Sequence, residues 1–210
     1  MNPIKKIFGK AVVVRPIADQ RIYEDNFNSY CGNSLADSNV LLLTNCKEWM
    51  QAYEDQLRKE NCYFTLVENP LEDDLTQQKL VEYSNDLIGP YRHIINLYRV
   101  SDDSNFVQHL YTTLQKESDY LINSVNYGTI CTAVVWDETL SDIARASIGG
   151  ITSLVKGLGY VLPKHGIIEN GISAKSDVPI EQIMHGTIFL SGKYGNVLTG
   201  EVLNLSGSES

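Results

Sequence analysis

The 210-residue sequence has few cysteines, no long apolar run and no recognisable metal motif. Its four cysteines show no Cys-x-x-Cys or Cys/His spacing, which argues against a zinc site and a disulfide framework. No stretch approaches the roughly 20 apolar residues of a membrane helix, and the N-terminal segment lacks a cleavage site of the secretory type. We therefore expect a cytoplasmic protein with no bound metal and no membrane contact.

Basic residues are also scarce. The chain has 17 lysines and arginines against 26 aspartates and glutamates, a formal net charge of -9. Such a chain repels a phosphate backbone, which needs clustered lysine and arginine to neutralise it. The charge therefore predicts no nucleic-acid partner.

Strand and helix patterns alternate along the chain, as is typical of an α/β fold with a mainly parallel sheet. The length and the 43% hydrophobic content suit one domain, residues 1–207, with 208–210 as a frayed tail. The apolar patterns predict strands at 11–14, 40–44, 63–67, 93–97, 129–135, 166–172 and 202–205. Helices are predicted over 46–60, 71–88, 104–125, 139–162 and 179–191.

The C-terminal third carries a family resemblance. The segment HGIIENGISA, a following helix and the segment LTGEVLNLSG resemble the tail of short-chain dehydrogenases/reductases, in which the last strand reads close to TGEVLNVDGG. The resemblance is strongest over residues 128–207. It implies a Rossmann-like, doubly wound, seven-stranded parallel sheet in a single domain.

The glycine-rich turn of that family is missing at the matching positions. In the family the turn follows the first strand, and its glycines let backbone N–H groups approach the cofactor pyrophosphate. After the strand GKAVVV, the matching positions are Arg15, Pro16, Gln20 and Ile22. Proline also removes a backbone donor. We therefore expect no bound NAD(P) cofactor.

The fourth strand repeats the family pattern only in part. Asn96 stands on the first asparagine of the family's cofactor-contacting segment, and Leu97, Tyr98 and Arg99 replace the small residues that follow it. A bulky pair at 98–99 would fill the cofactor groove. Asn96 itself is equally explained as a structural asparagine that bonds the backbone.

The catalytic Tyr-x-x-x-Lys pair is also missing. By an ungapped match, its positions are occupied by Ala144 and Ile148, which cannot exchange a proton with a substrate. The strand before this helix offers Thr132 in place of the family's catalytic serine. A literal Y-x-x-x-K at Tyr160 and Lys164 lies at the far end of the helix and is interrupted by proline, so we do not expect it to be catalytic.

The substrate lid is predicted to be short, since Ala174 and Lys175 stand where the family has a Pro-Gly pair after the sixth strand, and only residues 176–178 follow before Pro179. The helices over 104–125 and 139–162 carry long apolar faces, and in the family these helices form the subunit interface. Glycines in the second helix would permit close helix approach. The expected interface residues are Leu110, Leu114, Gly149, Gly150 and Leu154.

Together these losses predict a catalytically inactive, pseudoenzyme form of the short-chain dehydrogenase/reductase fold. The resemblance implies a structural or regulatory subunit of a homo-oligomeric or heteromeric reductase in fatty-acyl, polyketide or other acyl-thioester metabolism, paired in the second case with an active family member. Two alternatives stay open. One is an NAD(P)-dependent oxidoreductase with relocated catalytic residues, and the other is a module that senses a small ligand in the former groove.

Overall fold

The computed structural model describes the backbone of residues 6–8 and 11–14, and residues 33–68, 75–84, 89–193 and 195–206. Its strands are β1 (Lys6–Phe8), β2 (Ala11–Val14), β3 (Asn39–Thr44), β4 (Tyr63–Glu68), β5 (His93–Arg99), β6 (Gly128–Trp136), β7 (Ile167–Lys175) and β8 (Val202–Leu205). Its helices are α1 (Lys47–Lys59), α2 (Gln77–Ser84), α3 (Phe106–Ser124), α4 (Asp142–Val161) and α5 (Ile180–Ser191).

The described strands form one sheet in the order β1-β2-β4-β3-β5-β6-β7-β8. The six strands from β3 onward run parallel, with registers such as Asn96↔Thr132 between β5 and β6. The doubly wound α/β architecture is confirmed. The expected count of seven parallel strands is corrected to six in the described part of the chain, because β1 and β2 are antiparallel additions.

The position of β2 changes the interpretation of the N-terminal region. This strand, predicted as the first parallel strand, pairs antiparallel with β4, for example Val12 with Leu66. It occupies the place where the usual 3-2-1-4-5-6 order puts the third strand. The central position belongs to β3, which lies between β4 and β5. Apolar content alone does not distinguish an edge strand from a central one, since both read as short valine-rich runs.

Both faces of the sheet are covered, as parallel sheets require. All six residues of β3 are buried, since Leu41 and Leu43 face α2, α3 and α4 while Leu42 faces α1 and α5. The connection from β7 to α5 spans only residues 176–179, so the shortened lid is confirmed. Residues 207–210, which include the predicted tail, lie outside the described part of the chain.

Two of the expected interface residues belong to the interior of this chain. Leu110 and Leu114 of α3 are fully buried in the core beneath the sheet, so they cannot contact a second subunit. Their spacing of four residues belongs to the apolar face of α3 that packs on the sheet. Periodicity in the sequence does not distinguish such a face from one that packs on another subunit. A Cβ atom added at Gly150 would lie 3.5 Å from Val107 of α3, which is an ordinary van der Waals distance. Packing of the helices within this chain therefore does not require a glycine at this position.

Candidate functional site

The carboxyl edge of the sheet contains the topological switch point. From β3 the chain turns to β4 on one side, and β5 then lies on the other side of β3. In open α/β sheets, ligands bind in the crevice outside the carboxyl ends of the strands at this point. The candidate site therefore lies beyond Thr44 of β3 and Arg99 of β5.

The turn that enters this crevice is short and contains no glycine. Only Asn45 and Cys46 separate the end of β3 from the start of α1. The Thr44 hydroxyl accepts a hydrogen bond from the Cys46 N–H at 3.0 Å, so that donor is already used. Glu48 in the first turn of α1 adds a negative charge where a pyrophosphate would bind. This turn replaces residues 15–22 as the position to compare with a cofactor loop.

The four positions first assigned to that loop are therefore corrected. Arg15, Pro16, Gln20 and Ile22 follow β2, which is an antiparallel strand away from the switch point. They lie outside the described residues. At the corrected place residues 45 and 46 are Asn and Cys, and the loss of the cofactor turn stays a prediction.

Arg99 spans the mouth of the crevice. Its N–H donates to Asn45 Oδ1 at 2.8 Å, and its carbonyl accepts from Asn45 Nδ2 at 3.0 Å. Its guanidinium lies 3.3 Å from Glu48 Oε1 and 5.1 Å from the centre of the Trp49 ring. The ion pair is exposed and contributes little stability. The two amide hydrogen bonds tie β5 directly to the turn after β3, and the arginine side chain lies over the first turn of α1.

Cys46 places a thiol at this edge of the sheet, but the thiol is not activated as a nucleophile. Burial raises its pKa to about 11, and the nearby Arg99 only partly offsets this effect. A nucleophilic cysteine needs a depressed pKa, because the thiolate is the reactive form. The thiol therefore stays protonated at neutral pH and is a packing residue.

The helix that should carry a catalytic pair has no proton-transfer group at the two matched positions. Ala144 is fully buried in the core, and Ile148 is partly buried against it. Thr132 lies in the middle of β6, well before its carboxyl end, so it does not take the place of a catalytic serine. Tyr160 is 90% exposed at the end of α4, and Lys164 belongs to the following 3-10 turn.

A second group of polar side chains lies at the carboxyl ends of β6 and β7. The Lys175 ammonium pairs with Glu138 and lies 5.9 Å from the centre of the Trp136 ring. The hydrogen bond from Lys175 holds the pKa of Glu138 below its ordinary value. The Trp136 indole N–H donates to Ser173 Oγ at 3.1 Å. Lysine and carboxylate are thus engaged with each other, and neither is poised as an acid or a base.

Asn96 has a structural role within the core. It is fully buried, and its amide donates to Glu117 Oε2 of α3 at 2.7 Å. The structural role expected for Asn96 agrees with this contact, but its partner is a carboxyl group of a helix rather than the backbone. Burial raises the pKa of Glu117 to about 8, so this carboxyl is largely protonated at neutral pH.

A second buried carboxyl lies near the first. Glu169 of β7 is fully buried and accepts from the Thr132 hydroxyl at 3.0 Å. Burial raises its pKa well above the ordinary value, and the neighbouring Glu117 raises it further. Sequence reasoning missed both acids. A visible sign existed for Glu117, which interrupts the apolar stripe of Leu114 and Leu121 at helical spacing.

Comparison with solved structures identifies the architecture. A citronellol catabolism dehydrogenase (AtuB) of Pseudomonas aeruginosa matches with a TM-score of 0.64 and 9% identity, over 83% of this chain and 96% of that one. A short-chain type dehydrogenase/reductase of Mycobacterium marinum matches with a TM-score of 0.64 and 12% identity, over 85% and 97%. The chain has the short-chain dehydrogenase/reductase fold. No family model and no curated protein matches its sequence.

One matching structure was solved with its cofactor. A short chain dehydrogenase of Leptospira borgpetersenii with bound NAD+ shares the fold at a TM-score of 0.62 and 14% identity, over 82% of this chain and 92% of that one. Identity this low shows the short-chain dehydrogenase/reductase fold alone. The described residues of this chain contain no cluster suited to a metal ion and no helix long and apolar enough to cross a membrane.

Proposed function

We propose that this chain is a catalytically inactive form of the short-chain dehydrogenase/reductase fold that serves as a structural or regulatory subunit of an oligomeric reductase or dehydrogenase. The observation that carries the proposal is the switch-point crevice. A two-residue turn without glycine enters it, and Asn45 and Arg99 tie its two sides together. The positions of the catalytic pair add support, because Ala144 and Ile148 cannot transfer a proton.

The proposal predicts that the protein does not bind NAD+, NADH, NADP+ or NADPH. At millimolar cofactor, a dissociation constant near 0.1 mM would raise the free energy of unfolding by about 1.4 kcal/mol. We expect no such increase in chemical unfolding and no saturable heat in calorimetry. An intact short-chain dehydrogenase measured in parallel supplies the positive control.

The alternative of an oxidoreductase with relocated catalytic residues makes the opposite prediction. It requires cofactor-dependent reduction of a carbonyl or acyl-thioester substrate by the purified chain. Saturable cofactor binding together with such turnover would contradict the proposal and support that alternative.

The outer face of α4 supports a role in assembly. Ile143 and Tyr160 are 55% and 90% exposed, respectively. A Cβ atom added at Gly149 or at Gly157 would meet nothing within 4 Å, so this face is smooth and open in the single chain. A helix face of this kind permits close approach of another helix. A stable interface buries roughly 1,600 Å² in total, so neighbouring surfaces would have to take part as well. Of the expected interface residues, Gly149, Gly150 and Leu154 remain as a proposal.

A bulky residue at Gly149 tests this face. We expect Gly149→Trp to dissociate the oligomer, because the indole would fill the space that a partner helix needs. Light scattering measures the molar mass of wild type and variant at equal concentration. The matched control is Gln51→Trp, on an exposed position of α1 beneath the opposite face of the sheet.

Two results would contradict the assembly role. One is a monomeric wild type that also fails to associate with any active relative from its native host. The other is equal dissociation by Gly149→Trp and Gln51→Trp, which would show a nonspecific effect of added tryptophan.

A further inference from the structure

The amino edge of the sheet, opposite the switch point, contains a cavity of about 350 Å³. It lies where the loop before β3, the starts of β5 and β6 and the segment after α5 meet. Its volume is within the range of small-molecule sites. The short-chain dehydrogenase/reductase crevice is at the other edge, so this cavity has no part in the function proposed above.

Two cations face this cavity. Arg92 precedes β5 and Lys193 follows α5, and both residues line the wall. None of the described lining residues is acidic, although the chain has a net charge of -9. Across the described part of the chain, no carboxylate forms an ion pair with Arg92. Asp37 lies between the lining residues Ala36 and Ser38 in the chain but does not itself line the cavity. A concave surface with an excess of charge of one sign concentrates ligands of the opposite sign.

The rest of the wall supplies uncharged hydrogen-bonding groups. Tyr127 and Asn196 line the cavity, and burial raises the pKa of the Tyr127 phenol, so it remains a donor at neutral pH. His93 is 6% exposed, and its Nδ1 lies 2.8 Å from the Thr129 hydroxyl. Burial, assisted by Arg92, lowers the pKa of His93 to about 4, so the imidazole is neutral. The positive charge of the site therefore comes from Arg92 and Lys193.

The loop that forms one wall is held in place before any ligand arrives. The buried carboxylate of Glu60 accepts from the Ser34 N–H at 2.8 Å, from the Ser34 hydroxyl at 3.3 Å and from the Leu35 N–H at 3.4 Å. Gly192 packs so closely on this loop that an added Cβ would lie 2.6 Å from Ser34 Oγ. A preformed wall lowers the ordering cost of binding.

Left-handed backbone conformations are concentrated at the same place. In the described part of the chain, the non-glycine residues with positive φ are Asn33, Asp37 and Asn61, at 62°, 57° and 55°. Asn33 lines the cavity, and the Asp37 N–H donates to the Asn61 carbonyl at 3.2 Å. Asparagine and aspartate adopt this left-handed conformation more readily than other non-glycine residues, so these positions are tight turns of the loop wall.

We propose that this cavity binds a small organic anion through a carboxylate or phosphate group, with Arg92 and Lys193 as the residues that hold the charge. Arginine offers a planar fork of N–H donors that matches either oxyanion, and lysine adds a point charge. The phenol of Tyr127 supplies a further donor.

Inorganic phosphate and malonate are the probes. Each is titrated into 15N-labelled full chain at constant ionic strength, and amide shifts are followed by NMR. Among the described residues, we expect saturable shifts confined to residues 33–38, 92–93, 127, 193 and 195–196. Arg92→Gln and Lys193→Gln should each weaken binding about tenfold or more, since a hydrogen bond to a charged group contributes about 1.5–3 kcal/mol. Lys156→Gln, on the exposed face of α4, is the charge-matched control and should bind as wild type does.

Each outcome decides a point. Saturation by phosphate alone identifies a phosphate-bearing ligand, saturation by malonate alone identifies a carboxylate, and saturation by both supports either oxyanion. The proposal is overturned if neither probe saturates, or if Lys156→Gln weakens binding as much as Arg92→Gln. Equal thermal unfolding midpoints establish that the variants are folded, and both substituted positions are exposed.

Discussion

Glu117→Gln is expected to stabilise the protein at pH 8 and to reduce the loss of stability on raising the pH. Burial moves the pKa of Glu117 from 4.5 to about 8 in the folded chain. The folded state therefore keeps a proton that the unfolded chain releases. The stability linked to this proton is full below about pH 4.5 and is lost as the pH rises to about 8, at about 1.4 kcal/mol per pH unit. Glutamine keeps the shape of the side chain and does not titrate.

The pH window for this experiment follows from the other buried groups. Glu169 has a raised pKa and acts in the same direction as Glu117. His93 acts in the opposite direction, since its lowered pKa means that the unfolded chain binds a proton first as the pH falls from about 6.5 to about 4. Burial also raises the pKa of Glu60, so the effect of Glu117 is taken as the difference between wild type and Glu117→Gln in urea unfolding between pH 6.5 and 8.

The control for this prediction lies on the same helix. Asp119 is exposed two residues beyond Glu117 on α3, so Asp119→Asn removes a carboxyl without touching the core. We expect this variant to keep the wild-type pH dependence. Parallel curves for wild type and Glu117→Gln over the window would show that Glu117 is not protonated in the folded chain.

Gly159→Ala is expected to destabilise the protein by about 3 kcal/mol, because the new methyl group meets backbone. An added Cβ would lie 2.2 Å from both the Cα and the N of Gly200. A hydrogen bond also joins the two segments at this point, since the Thr199 hydroxyl donates to the Gly159 carbonyl at 2.9 Å. Helix α4 and the segment before β8 must separate to admit the methyl group. Thermal unfolding should show a midpoint about 6 to 12 °C lower.

The same helix offers a control of opposite sign. In the single chain an added Cβ at Gly157 meets nothing within 4 Å, so Gly157→Ala changes only the helix propensity when unfolding is measured on the unassociated protein. Alanine is favoured over glycine in a helix by about 1 kcal/mol, and the variant should be more stable than wild type. If both substitutions change stability alike, the close approach of α4 to Gly200 is not present in solution.

Much of the fold could be predicted from local pattern. The helix predicted over 139–162 is α4, which spans Asp142–Val161, because its apolar residues recur at three and four and Ser141 caps its start. All seven predicted strands are present within a few residues of their predicted bounds. These elements are encoded in local periodicity, which can be read without knowing the partner of any residue.

The candidate site could be predicted only in part. The placement of Ala144 and Ile148 at the family's catalytic positions stays a prediction, and it depends only on the distance along the chain from the HGI segment. Sequence alone places the cofactor turn after the wrong strand. Its correct place requires knowing that β3, and not β2, lies beside β5. Strand order is set by pairing between distant segments, and every apolar strand shows the same pattern in the sequence.

The sequence by itself determined the element types and the α/β class, because both depend on residue identity at short spacing. Only the tertiary structure decided which strand is central, that Arg99 reaches Trp49 across the crevice, and that Glu117 and Glu169 share one core. It also brought Arg92 and Lys193 to one cavity from positions about a hundred residues apart. These contacts join segments that are far apart along the chain, and no periodic pattern in the sequence indicates that they meet. Tertiary packing alone brings them together.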